Sequence, residues 1–249
     1  MSFSPCFVVP VYNHGSTVGA TVAALARQDL PVYLVDDGST AATARVLDEL
    51  AASQPLVRLV RRPRNGGKGT AVMTGIEAAH ADGRSHALQV DADGQHNLAD
   101  IPDFLAAAEA DPAALICGVP EYDASVPRGR LVGRYATHVW VWIETLSFAI
   151  EDSMCGFRVY PLAPVRRLIG EVRLGPRMEF DIEVLVRLYW RGVRIVNRPT
   201  RVIYPEGGLS HFRMLRDNLR ISWMHTRLVA GMLVRLPLLL ARKFMGRPA

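Results

Sequence analysis

The chain has 249 residues, 49% of them hydrophobic and 21% charged, enough to bury a full core and too apolar for a disordered or fibrous class. Its formal net charge is +5, a balance that suits nucleic acid, an anionic membrane surface or phosphorylated substrates. From residue 208 onward, Arg213, Arg216, Arg220, Arg227, Arg235, Arg242, Lys243 and Arg247 stand against one acid, Asp217, so the excess belongs to the tail and nucleic acid is not an expected partner.

Cys6-Phe7-Val8-Val9-Pro10-Val11 reads as a buried strand, and Ser16 or Thr17 as the cap of a helix through Leu25. Val32–Val35 is a second strand, Thr43–Ala52 a helix, and Val57–Val60 a third strand. A helix over Gly69–Ala81 and a strand over His86–Val90 follow. Strands alternating with helices predict a doubly wound, mostly parallel α/β sheet. The second half is less regular. Leu131–Ile150 and Met178–Trp190 are expected as helices, Val193–Val196 and Arg201–Tyr204 as strands, and residues 212–249 as a basic amphipathic helical tail beyond a domain over 1–211.

Cys6, Cys117 and Cys155 are odd in number and widely spaced, which predicts free thiols in a reducing compartment. The N-terminus has no cationic n-region and no cleavable apolar core, so no secretion signal is expected. No run approaches the ~20 apolar residues of a membrane span. The nearest, Leu228–Ala241, is broken by Arg235 and Pro237.

In open α/β sheets ligands bind beyond the C-terminal ends of the strands. Four polar clusters fall at four successive ends: Tyr12-Asn13, Asp36-Asp37, Asn65–Lys68 and Asp91–Gln95. Asp91 and Asp93, two residues apart, can share one Mg²⁺ or Mn²⁺ that keeps waters and binds substrate phosphate. A carboxylate of the Asp36-Asp37 turn can serve a nucleobase or ribose, or the next helix. Arg64–Thr70, RNGGKGT, is similar to the end of a P-loop. Arg62 stands where the first glycine belongs and Gly69 where the magnesium-binding hydroxyl belongs, so it is not a phosphate cradle of that type.

In order, Val9–Asn13 (VPVYN), Val35–Ser39 (VDDGS), Asn65–Ala71 (NGGKGTA) and Asp91–His96 (DADGQH) resemble the family-2 inverting glycosyltransferases with a GT-A fold. Asp152–Arg158 (DSMCGFR) and Met178–Glu183 (MEFDIE) resemble two further blocks of that family's polyprenyl-phosphate branch. The resemblance covers about residues 5–211. It implies that Pro10, Tyr12, Asn13, Asp37, Lys68 and Ala92 bind a UDP- or GDP-linked sugar, and that Asp91, Asp93 and Gln95 hold the metal. It places Arg134 at the acceptor phosphate. Two family arginines are absent, replaced by Pro120 after the fifth strand and by Pro205 in a later block, where His211 also stands in place of a lysine. Arg128, Arg130, His211 and Arg213 are the candidate substitutes. For a hydroxyl acceptor, Asp152 is the expected base.

The tail is expected to lie in the inner face of the plasma membrane, its arginines toward anionic headgroups and Trp223, Met224, Leu228 and Met232 toward the acyl boundary. A core packing or a homodimer contact would use the same residues. A nucleotidyltransferase that makes a nucleotide-sugar is the rival activity, but Pro10–Asn13 stands where its glycine-rich loop belongs.

Overall fold

The computed structural model describes residues 2–122, 128–202 and 214–244. Among them, seven strands form one sheet in the order β3-β2-β1-β4-β6-β5-β7. The first four are β1 (Pro5–Val11), β2 (Val32–Asp36), β3 (Val57–Arg61) and β4 (His86–Gln89), followed by β5 (Leu115–Glu121), β6 (Arg158–Pro161) and β7 (Ile195–Arg201). β1 pairs in parallel with β2 and β4, and β2 with β3. β6 runs antiparallel to both β4 and β5, while β5 and β7 are parallel. The mostly parallel α/β expectation holds, with one reversed strand inside the sheet.

Alternation along β1 builds two cores. Cys6 and Val8 join the layer that includes Val72, Ile76, Phe180 and Leu185. Phe7, Val9 and Val11 join Val22, Leu25, Leu47 and Phe104 on the other face. Each fully buried Leu or Phe there contributes roughly 1.5–3 kcal/mol. The helices are α1 (Val18–Ala26), α2 (Ala41–Ser53), α3 (Lys68–Ala81), α4 (Ile101–Ala110), α5 (Arg128–Thr145), α6 (Leu162–Glu171), α7 (Phe180–Trp190) and α8 (Met214–Phe244).

Several boundaries differ from expectation. The two late strands are one, β7, because its register with β5 is continuous from Ile195 to Arg201; Tyr204 lies outside the described residues. α4 and α6, ten residues each, are additional to the expected elements; α4 is Ala-rich and carries a weak periodic signal, whereas α6 does place Leu162, Val165 and Leu168 on one buried face. Thr17 is the N-cap position of α1, but its side chain makes no cap bond. Instead its hydroxyl donates to the carbonyl of Ala92 at 2.6 Å.

α8 continues through Pro237 and packs on α5 and α7. Met224, Leu228 and Met232, expected at an acyl boundary, are buried in this contact. Arg227 pairs with Glu183, Arg235 lies over the Trp190 ring, and Arg242 donates to the Trp190 carbonyl. These arginines turn inward because α7 offers a buried carboxylate, an aromatic face and an open C-terminal carbonyl. By length and composition α8 is long and apolar enough to cross a membrane, in contrast to the expectation that Arg235 and Pro237 break the run, because the helix continues through Pro237.

Candidate active site

The expected clusters meet at the C-terminal ends of β1 to β4. Asn13, in a left-handed conformation (φ 58°), accepts from Thr40 N at 2.9 Å, while Ser39 Oγ accepts from Asn13 N at 3.1 Å. Asp36 accepts from Ser39 N and pairs with Arg61. Pro10, Tyr12 and Asn13 are half-buried along this rim. Asp37, expected at the donor nucleoside, is engaged by the RNGGKGT loop and by Arg62 before it. Its Oδ1 accepts from Arg62 Nε at 2.8 Å and Gly66 N at 2.9 Å, and its Oδ2 from Gly67 N at 2.7 Å. Gly38 makes that turn possible: φ is +71°, and a Cβ there would lie 2.6 Å from the Arg64 carbonyl carbon.

The loop delivers Lys68, the first residue of α3, to the acidic pair. Lys68 Nζ lies 2.7 Å from Asp91 Oδ2 and 3.0 Å from Asp181 Oδ2. Gln89 Nε2 donates to Asp91 Oδ1 at 3.2 Å. His96 Nε2 is 3.5 Å from Asp91 Oδ2, too long for a good hydrogen bond. Burial alone would raise the Asp91 pKa; the Lys68 ammonium overrides it and holds the carboxyl far below its usual range. Burial would likewise lower the Lys68 pKa, but Asp181 and then Asp91 push it well above the ordinary lysine value. Asp93 is half-buried and uses Oδ1 to accept from Gln95 N at 3.0 Å. Ala92, between the acids, is buried and held through its carbonyl by Thr17.

Among the described residues no group of three or more His, Cys, Asp or Glu is placed to hold a metal. The donor set nonetheless fits a hard divalent ion. It offers two strand-end carboxylates and the Gln95 amide, all oxygen ligands, and Asp93 Oδ2 accepts nothing from the described residues. Such an ion draws its remaining ligands from water and substrate phosphates.

A second constellation lies at α5 and the loop before β6. Arg134 grips Asp152 with two bonds, Nε to Oδ2 at 2.5 Å and Nη2 to Oδ1 at 2.6 Å. His138, one turn along, places Nε2 3.2 Å from Asp152 Oδ2. Met154 N and Cys155 N donate to Oδ1 at 2.9 and 2.7 Å. Burial would raise the pKa of Asp152; His138 and Arg134 together hold it far below the carboxylate range. Arg158 does not pair with Asp152. It donates to the Asp181 and Ser153 carbonyls instead.

Of the other acceptor candidates, Arg128 and Arg130 lie in α5 but their side chains fall outside the described set, and His211 and Arg213 lie outside the described residues. Sequence reasoning missed Asp181, His138, Arg62 and Gln89 as site neighbours. The i, i+4 spacing of Arg134 and His138 was the available signal for one of them.

The fold is that of known sugar-transferring enzymes. A mannosyltransferase from Pyrobaculum calidifontis, solved with GDP-Man and Mn²⁺, superposes with a TM-score of 0.58 at 20% identity over 84% of this chain; the match spans 59% of that protein. Glucosyl-3-phosphoglycerate synthase from Mycobacterium tuberculosis, solved with Mn²⁺, UDP-glucose and phosphoglyceric acid, gives 0.63 at 16% identity over 94% of this chain and 79% of that one. In sequence, the chain is 26% identical to the undecaprenyl-phosphate mannosyltransferase of Micrococcus luteus over 213 residues, 82% of this chain and 85% of the relative. The family described as Glycosyl transferase family 2 matches residues 6–168, and the chain belongs to it.

Proposed function

We propose that this glycosyltransferase moves a sugar, with inversion, from a UDP- or GDP-linked donor to a polyprenyl phosphate at the cytoplasmic face of a membrane, with Mg²⁺ or Mn²⁺ as cofactor. The family match and the M. luteus relative support the reaction class and the lipid phosphate. The Mn²⁺ and nucleotide-sugars of the structural neighbours support the cofactor and donor.

The observation that carries the acceptor assignment is the saturation of Asp152. Its carboxylate is engaged by Arg134, His138 and two backbone amides and is buried. A carboxylate so stabilised is a poor proton acceptor, which argues against the base that a hydroxyl nucleophile requires. A phosphate is already anionic and requires cations that position it. Asp152 fits the role of an anchor that fixes the plane of Arg134, leaving the remaining guanidinium edge for an acceptor oxyanion.

On the donor side, Pro10, Tyr12 and Asn13 form the nucleoside rim, and Asp37 holds the loop that presents Lys68. Asp91, Asp93 and Gln95 would hold the divalent ion, whose chemistry when bound is neutralisation of charge on the departing nucleoside diphosphate. Lys68 stands beside that charge. The acceptor phosphate, steered by Arg134, attacks the anomeric carbon from the side opposite the diphosphate.

α8 carries a second apolar face, distinct from the buried one. Leu219 and Trp223 are each 63% exposed and Val234 81%. Tyr135 and Trp140 of α5 are also exposed. This surface would lie in the interface, with exposed Arg216 and Lys243 toward headgroups. The interfacial reading is favoured over a span because Met224, Leu228 and the buried His225–Glu144 pair (2.7 Å) fasten α8 to the domain.

The test is incubation with Mn²⁺, a panel of UDP- and GDP-sugars, and undecaprenyl or dolichyl phosphate in detergent. Nucleoside diphosphate release together with a glycosylated lipid phosphate is the expected result. Pyrophosphate release would identify a nucleotidyltransferase, and transfer to hydroxyl acceptors alone would overturn the role of Asp152.

A further inference from the structure

Lys68 is shared. Its second carboxylate, Asp181, belongs to the first turn of α7, remote in sequence from the four strand-end clusters. Asp181 is the more deeply placed partner, with 5% side-chain exposure against 20% for Asp91. Among the described residues Lys68 is the one ion-pair partner Asp181 has, and Asp181 Oδ1 has no hydrogen-bond partner. Its main chain is fixed separately, through the carbonyl that accepts from Arg158. Gly156 closes the cluster: a Cβ there would lie 2.7 Å from Lys68 Nζ and 3.0 Å from Asp91 Oδ2.

We propose that Asp181 is a positioning residue of the donor site, which keeps a counter-ion on Lys68 so that Asp91 can take up a divalent cation. The inference rests on the metal reading given above. Asp91, Asp181 and Lys68 together carry one net negative charge. A dication at Asp91 would repel an ammonium that sits 2.7 Å from the same carboxylate oxygen. Lys68 already has Asp181 within 3.0 Å, so it can give up Asp91 and remain paired, with no movement of the backbone. Without the Asp181 charge, Asp91 becomes the lysine's last carboxylate, and an incoming cation must displace a buried ammonium with nowhere to go. The greater burial of Asp181 strengthens this hold, because opposite charges attract more where less water screens them.

The alternative is that Asp181 only supports the fold, as an acid near the N-terminus of α7. Titrating Mn²⁺ alone into the full chain, with free Mn²⁺ read by electron paramagnetic resonance, separates the two. Asp181→Asn is expected to weaken Mn²⁺ binding about tenfold, and Asp181→Glu to stay near the wild type. The double variant Lys68→Met/Asp181→Asn is expected to regain the lost affinity, since the competing ammonium is gone. A structural role predicts no such rescue. Unchanged Mn²⁺ binding in Asp181→Asn, or binding in the double variant no tighter than in the single one, would overturn the proposal. Should Asp181→Asn fail to fold, Lys68→Met alone decides: equal or tighter Mn²⁺ binding than the wild type supports it, and weaker binding refutes it. Asp93→Asn guards the premise. If that variant binds Mn²⁺ as the wild type does, the ion is not at Asp91 and Asp93, and the metal reading itself falls.

Discussion

The two halves of the site are built differently. On the side proposed for the donor, charged groups are placed at strand ends and cross-linked to one another: Asp37 to Arg62 and the loop amides, Lys68 to Asp91 and Asp181. On the side proposed for the acceptor, one buried clamp, Arg134 on Asp152, stands beside the exposed apolar faces of α5 and α8. A nucleotide-sugar comes from water and calls for a rigid, polar cradle. A lipid phosphate would bring its own apolar surroundings, so the protein need supply only a fixed cation at the edge of an apolar face.

The comparison is broken most severely by removing charge on the donor side. Asp93→Asn is expected to lower kcat/KM by about a thousandfold, the scale on which loss of preorganised charge stabilisation acts. Stability should hardly change, since Asp93 is half-buried and accepts from one backbone amide. A thermal melt run beside the kinetic assay checks both halves of the statement.

Asp37→Ala should do the reverse. It would leave Arg62 and two loop amides without their acceptor, at a cost of about 3 kcal/mol in folding stability. Urea unfolding measures that loss. Donor KM should rise as well, because the loop carrying Lys68 loses its tether. If the rim bound the nucleoside through Asp37 directly, the kinetic loss would appear without the loss of stability.

These contrasts show why the first half of the sequence was the more legible. Each of β1 to β4 is a short apolar run ending in polar residues, and such runs expose both their strand and their site. Asp181 falls in the MEFDIE block that resembles the family, but its place beside Lys68 was not legible because nothing local ties the two, 113 positions apart by their numbers; packing of α7 against α3 brings them together. The inward turn of Arg227, Arg235 and Arg242 was hidden for a related reason. A helix that is apolar on two faces gives one periodicity, and the choice of buried face depends on what α5 and α7 offer. β6, only four residues long and antiparallel, had too little pattern to be read from sequence.

On the acceptor side, Arg134→Lys retains the charge but loses the paired bonds to Asp152. A drop of about thirtyfold in kcat/KM for the lipid phosphate is expected, with donor KM unchanged. The clamp also has a pH signature. The folded-state pKa of Asp152 lies below its unfolded value of about 3.9. Its contribution to stability is therefore full above that value and is lost as the pH falls below about 4 toward the folded pKa. Acid unfolding of the wild type and Asp152→Asn should show a stability gap that is constant near neutrality and narrows below about pH 4. A gap that widened on acidification would mean that the carboxyl is not the charged partner of Arg134.

The smallest expected effect concerns the apolar face of α8, and it separates the two sides of that helix. Leu228 is fully buried and Val234 is 81% exposed, although both are aliphatic and six positions apart. If the exposed face meets a membrane, Val234→Asp should weaken binding to anionic vesicles about fivefold, roughly 1 kcal/mol, while the melting temperature stays fixed. Leu228→Ala should lower the melting temperature and leave vesicle affinity of the folded fraction unchanged. Raising the salt should weaken binding further if Arg216 and Lys243 meet headgroups, because exposed charges are screened beyond a Debye length. Flotation with vesicles of neutral and anionic composition measures all three. Equal flotation of the wild type and Val234→Asp would place the exposed face of α8 against something other than lipid, and the acceptor side would then need a different account of how an insoluble substrate reaches Arg134.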